Sequence, residues 1–172
     1  PQHVAVDMRG NLQTRLEKLK NGDCDAMLLA FAGVHRMEIA EFITEHLATE
    51  LFVPAVGQGS VAIQSAKNLD PKLRNLIREA CNHKETEACL LTERTLLAKL
   101  DGGCSVPVYG FAYYKEDQIQ LQAGVLSLDG QEKMEKIGFG SNGIEVGNEV
   151  AKHLIQAGAQ DLLKKIRQAL SN

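Results

Sequence analysis

The apolar positions change their period along the chain, and the changes mark out elements. After Asn11, a good helix N-cap, Leu12, Leu16 and Leu19 recur on one helical face, and Asn21-Gly22-Asp23 stops the run. His3 to Asp7 and Asp25 to Ala30 read as short strands on either side of it. A second helix is expected from about Val34, with Ile39, Ile43 and Leu47 at four-residue spacing. Strand, helix, strand, helix is the rhythm of a parallel α/β unit, but it holds too few strands for a sheet covered on both faces. The pattern therefore anticipates partner strands upstream.

Leu51 to Ile63 is apolar on both sides of Gly57-Gln58-Gly59, and with Pro54 it predicts two extended pieces joined by a tight turn. Asp70 before Pro71 predicts a helix over 71–81, and Asn82-His83-Lys84 separates it from another over about 85–100. Beyond residue 104 the period becomes two. Strands are expected over 106–114, 118–126 and 132–139, joined by Lys115-Glu116-Asp117 and Ser127-Leu128-Asp129-Gly130 as an antiparallel meander. Val146, Val150 and Leu154 mark one closing helix, stopped by Gly158, and Leu162, Ile166 and Ala169 mark the last. The expected fold class is α/β plus α+β: a partial parallel α/β domain followed by a small antiparallel three-stranded sheet with helices on one face.

Composition narrows the functions without choosing one. The 172 residues are 44% hydrophobic and 24% charged, with a net charge of -3, so no broad basic face for nucleic acid is expected. The longest apolar run, Ala26 to Val34, has nine residues and contains a glycine, far short of a membrane span. The opening PQHVAVDMRG reads as an incoming strand rather than a signal peptide, and it lacks an initiator methionine, as a processed chain or a piece of a longer one would. Cys24, Cys81, Cys89 and Cys104 form no CxxC pair and no zinc-type spacing with histidine, so no metal site is expected. The first three read as small semi-buried residues of a reducing compartment.

Three stretches carry candidate chemistry. Arg9-Gly10-Asn11-Leu12-Gln13-Thr14-Arg15 places two arginines six apart around a helix start, where backbone N–H groups favour an anion and guanidinium forks pair carboxylates. Spacing alone favours the plainer reading, two solvated arginines around a cap. Val56-Gly57-Gln58-Gly59 lets main chain approach a neighbour, a weak signal by itself. In Leu100-Asp101-Gly102-Gly103-Cys104-Ser105-Val106-Pro107-Val108, two glycines end a helix and present a cysteine on a loop.

In order and spacing, RGNLQTRL, LLAFAGVHRM, PAVGQGSVAI, NHKETEACLLTERTLLAKLDGGCSVPV and LSLDG resemble the porphobilinogen deaminase (hydroxymethylbilane synthase) family over nearly all of the chain. The resemblance implies a transferase of haem and tetrapyrrole biosynthesis. Such an enzyme joins four porphobilinogen molecules, with loss of ammonia, onto a dipyrromethane cofactor held by a cysteine thioether. On that match Cys104 is the covalent anchor, with Gly103 and Ser105 shaping its loop. Arg9 and Arg15 face cofactor and substrate carboxylates, and Arg36 and Arg94 hold substrate carboxylates or lie close to them. The resemblance also implies a cytoplasmic monomer, with porphobilinogen and the growing pyrrole chain as its ligands and no nucleic-acid or membrane partner.

Two departures qualify the match. After VGQG the family usually has a glutamate, a small residue and an arginine, whereas this chain reads Gln64-Ser65-Ala66-Lys67. Either Lys67 serves as a point charge or that carboxylate contact is weakened. The family's catalytic aspartate lies in an N-terminal region with no counterpart here, so no catalytic residue is expected among these 172. The implied layout is 1–53 as the later part of the central α/β domain, 54–83 as a crossover returning to an absent N-terminal domain, and 84–172 as the C-terminal cofactor-anchoring domain. Such a C-terminal fragment would need the missing N-terminal half as a partner and would be inactive alone. The contrasting reading is a non-catalytic anion-binding module with a free Cys104.

Overall fold

The computed structural model describes residues 3–101 and 106–171. The chain divides into two compact units, Pro1–His46 and Leu47–Asn172.

In the first unit, α1 (Leu12–Lys20) begins where expected: Asn11 accepts from the Thr14 N–H, and the helix closes on Asn21. The second helix differs from expectation. α2 covers only Phe31–Arg36, and a single 3-10 turn follows at Ala40–Phe42. The helix is closed early because Glu38 takes a left-handed φ of 55°. The Glu38 N–H then donates to His35 and the Ile39 N–H to Val34, the paired bonds of a Schellman cap. The four-residue spacing of Ile39, Ile43 and Leu47 is thus carried past a terminated helix.

The strands expected at His3 to Asp7 and Asp25 to Ala30 are not formed, and the described residues of this unit contain no parallel α/β ladder. A strand exists only as one side of a ladder. Leu28, in the apolar run, is 66% exposed for want of one.

The second unit holds the core. α3 (Pro71–Cys81) starts on Asp70, whose carboxylate accepts from the Lys72 and Leu73 N–H groups, with Pro71 in the first turn. α4 (Lys84–Lys99) follows, then β1 (Val108–Lys115), β2 (Gln118–Leu126), β3 (Lys133–Gly140), α5 (Gly143–Gln156) and α6 (Ala159–Leu170). The sheet is antiparallel in the order β1-β2-β3. Glu116 and Asp117 form its first turn, both at positive φ.

The register puts Val108, Val125 and Met134 side by side, and likewise Ala112, Leu121 and Gly138. These face α4 and α5, which pack on the sheet and on each other, with α6 against α5. The opposite face carries Phe111, Gln122 and Ile137, then Tyr113, Gln120 and Phe139. Helices therefore cover one face, as expected. The α4–α5 crossing is close because Gly147 lies against α4: a Cβ there would sit 2.6 Å from the Thr92 carbonyl oxygen.

Candidate functional site

Two regions gather the candidate residues, one in each unit. In the first, the chain turns at Gly10 (φ 119°) directly into α1. The Arg15 Nε donates to the Gly10 carbonyl at 2.9 Å and the Lys18 Nζ to the Arg9 carbonyl at 3.3 Å, so one helical face folds back over the turn. The Arg9 Nε pairs with Asp7 at 3.0 Å. Both arginines spend Nε internally, and their terminal nitrogens have no partner among the described residues. Arg9, Arg15 and Lys18 thus form a cationic patch around a helix N-terminus, and the fork geometry of two guanidiniums suits carboxylates. Arg36 stands apart on the sequence, as the exposed last residue of α2.

In the second unit, an open groove of about 540 Å³ lies between the extended segment 60–63, α3 and the first three turns of α4. Its walls are mixed. Val61, Ile63, Ile77 and Leu90 are apolar, while Arg74, Arg78 and Arg94 bring charge. Arg74 is engaged, donating to the Ala66 and Lys67 carbonyls at 3.1 and 2.8 Å. Arg78 is paired with Glu87, which also accepts from Asn82 at 2.8 Å; the hydrogen bonds from Arg78 and Asn82 hold that carboxyl below its usual range. Arg94 lines the groove as an exposed side chain. The Lys67 side chain is exposed, and its backbone serves as the Arg74 acceptor.

Glu93, beside Arg94, escaped the sequence reading. It is 4% exposed, with Oε1 accepting from the Ala112 N–H and Oε2 from the Gly57 N–H, both at 2.8 Å. Burial pushes its carboxyl up, and the two amide bonds oppose that push. The signal was present: Cys89, Glu93, Leu96 and Leu100 share one face of α4, so a carboxylate falls in an apolar stripe.

Gly103, Cys104 and Ser105 lie outside the described residues. The residues that flank them are well held. Leu100 and Val106 are 1% and 7% exposed in the core, and Arg167 of α6 donates to the Asp101 carbonyl while approaching its carboxylate at 3.4 Å.

Comparison with known proteins gives these positions a context. Residues 1–75 match the family model described as porphobilinogen deaminase, dipyromethane cofactor binding domain, and residues 87–156 match porphobilinogen deaminase, C-terminal domain. Arg9, Arg15, Arg36 and Lys67 fall in the first match, and Glu93, Arg94 and Cys104 in the second. Curated relatives named porphobilinogen deaminase include those of Desulfosudis oleivorans, 39% identical over 98% of this chain, and Cytophaga hutchinsonii, 44% identical over 99%. A third, from a Geobacillus species, is 43% identical over 95% of this chain. The chain spans about half the length of these relatives: 55%, 55% and 53% of them respectively.

Proposed function

Because the chain belongs to the porphobilinogen deaminase family, we propose that it is the carboxylate-binding and cofactor-anchoring part of a hydroxymethylbilane synthase. The layout goes with that reading. Residues 1–53 are the later part of a central α/β domain whose parallel strands find partners outside these residues. Residues 54–83 are the crossover to another domain, and 84–172 are the anchoring α+β domain. The observation that carries the reading is the succession of two models of one family on consecutive stretches of the chain.

The donor set fits the acidic side of a dipyrromethane. Its acetate and propionate groups need forked, permanently charged partners, and Arg9 and Arg15 offer terminal guanidinium nitrogens beside a helix N-terminus. Cys104 is the covalent anchor, with Gly103 and Ser105 beside it in the sequence. Bound there, the dipyrromethane supplies the fixed primer that porphobilinogen units extend. The chain's own residues bind and orient: Arg9 and Arg15 hold carboxylates of primer and product, and Arg36, Arg94 and Lys67 take those of incoming or growing pyrroles. In this reading the acid/base work of ammonia loss falls to the family's catalytic aspartate, in the part of the enzyme that precedes these residues. The 172 residues alone are inactive, and the assembled enzyme is a cytoplasmic monomer.

Co-production with the remaining part of a full-length relative tests the reading. Intact-mass and peptide analysis should show a dipyrromethane-sized adduct on Cys104 and consumption of porphobilinogen. An adduct on Cys24, Cys81 or Cys89 overturns the anchor. Association of the two parts with unmodified Cys104 and no consumption selects the alternative, an anion-binding module.

A further inference from the structure

β1 is an outer strand, so its outward amides need acceptors that no neighbouring strand of the sheet supplies. Gly110 and Ala112 are two successive ones. The Gly110 N–H donates to the Pro54 carbonyl at 3.1 Å, and Ala55 forms an isolated antiparallel bridge with Tyr109, so residues 54–55 begin a fourth strand. That strand ends at once, because the chain turns away at Gly57 and Gly59, both with φ of 78°. At this point the Glu93 carboxylate takes over the ladder. One oxygen receives Ala112, the next outward amide of β1, and the other receives Gly57, the first amide of the departing chain.

We propose that Glu93 is a positioning residue: its carboxylate clamps the Gly57-Gln58-Gly59 turn to the β1 edge and so sets the 60–63 wall of the groove opposite Arg94. The residue types suit the task. Only an ionised carboxylate offers acceptors on both oxygens, so it can hold two converging N–H donors in a buried place. A glutamine of the same shape turns an NH2 group toward one of them and loses that bond. Glu93 lies one residue from Arg94 in α4 and Gly57 three residues before Ser60, so the hydrogen-bonded clamp ties the two sides of the groove together close to both. Its consequence for porphobilinogen binding rests on the proposed function; the clamp itself does not.

Amide hydrogen exchange on the 172-residue chain, comparing it with Glu93→Gln, reads the clamp directly. The variant should lose about tenfold or more in protection at Gly57 or Ala112 and shift the amide resonances of Ser60 to Ile63. Gly110, held by Pro54, and the β2–β3 ladder should keep theirs. Unchanged protection at both Gly57 and Ala112 overturns the proposal, as does an equal loss across the sheet. If the variant does not fold, the unmodified chain decides: a Gly57 amide exchanging at its intrinsic rate overturns the clamp, and a slowed one supports it. In the assembled enzyme the same substitution should raise KM for porphobilinogen about tenfold with kcat within about twofold. An unchanged KM beside a lost clamp overturns the positioning role. If the unmodified assembly consumes no porphobilinogen, the proposed function fails while amide exchange still decides the clamp.

Discussion

Arg167, in the last turn of α6, braces Asp101, one residue past the Leu100 C-cap of α4 and three before Cys104 in the sequence: it donates to the Asp101 carbonyl and stands 3.4 Å from its carboxylate. Asp101 needs the brace, since its φ of 50° is one that a non-glycine residue adopts at a cost. Both side chains are substantially open to water, so the pair is worth little to global stability. Arg167→Ala should lower the urea unfolding free energy by about 1 kcal/mol or less. Its larger effect should be local: faster amide exchange at Asp101, with β2 and β3 unchanged. A uniform acceleration across the sheet would show that Arg167 supports the whole domain rather than the end of α4.

The buried Glu93 carboxyl gives stability a pH dependence of definite sign. Burial raises its value in the native state against the pull of the Ala112 and Gly57 amides. Between the ordinary carboxylate value and the raised one, the native chain holds more protons than the unfolded chain, so stability falls as pH rises through that window. Glu87 and Glu135 act oppositely. Hydrogen bonds from Arg78 and Asn82 lower Glu87; Glu135 meets desolvation that raises it, outweighed by hydrogen bonds from Lys133, Tyr109 and Gln122. Their contributions are present above the ordinary carboxylate value and lost as pH falls. The Glu93 part is therefore read as a difference: the urea midpoint of the chain minus that of Glu93→Gln, measured from roughly pH 4 to 8, should decrease as pH rises through the window. Parallel curves would mean that Glu93 titrates alike in both states.

What the sequence could and could not show follows from where each element finds its partners. Asn11, Asp70 and the period-two run after residue 104 carry their information locally, and α1, α3 and the three-stranded meander form where the pattern puts them. Asp25 to Ala30 fits a strand by composition, but a strand is a relationship, and the described residues give it no ladder. The early end of α2 depends on Glu38 taking a left-handed conformation, for which glutamate carries no local preference. The gathering of Arg9 and Arg15 about one helix start was legible, because the turn and the helix are local. The burial of Glu93 had a signal in its apolar stripe, but its partners did not, because they are backbone amides 36 and 19 residues away.

The α4–α5 crossing gives a substitution in which two effects compete. Alanine at Gly147 would favour the helix by about 1 kcal/mol. The added Cβ, however, would lie 2.6 Å from the Thr92 carbonyl oxygen and 3.0 Å from the Thr95 Cβ, against backbone that cannot rotate away. Overpacking of this kind costs about 1–3 kcal/mol, so the clash should win. Gly147→Ala is expected to lower the urea midpoint by a corresponding amount, and an increase would mean that α4 and α5 can slide apart without loss.

Protection against exchange should be unequal along the chain. Every member of the core cluster lies between Cys89 and Ile166, in the second unit. In the first unit Val34 is the one buried apolar side chain among the described residues, while Val4, Leu28 and Phe31 are 85%, 66% and 54% exposed. Parts of the second unit outside its core are similar, with Leu51, in a turn, at 89% and Val61, on the groove wall, at 92%. Exposed apolar surface contributes nothing to folding, so α1 and α2 should open at low free energy while β2, α4 and α5 approach the global value. Hydrogen exchange with mass analysis should show fast exchange over 3–46 and slow exchange over 84–99 and 118–126. Adding the remaining part of a relative in trans should slow the first region by at least about tenfold and leave the second unchanged, since burial of bare apolar surface is what the first region lacks. Equal protection of both regions in the isolated chain would place a second core where the structure has none.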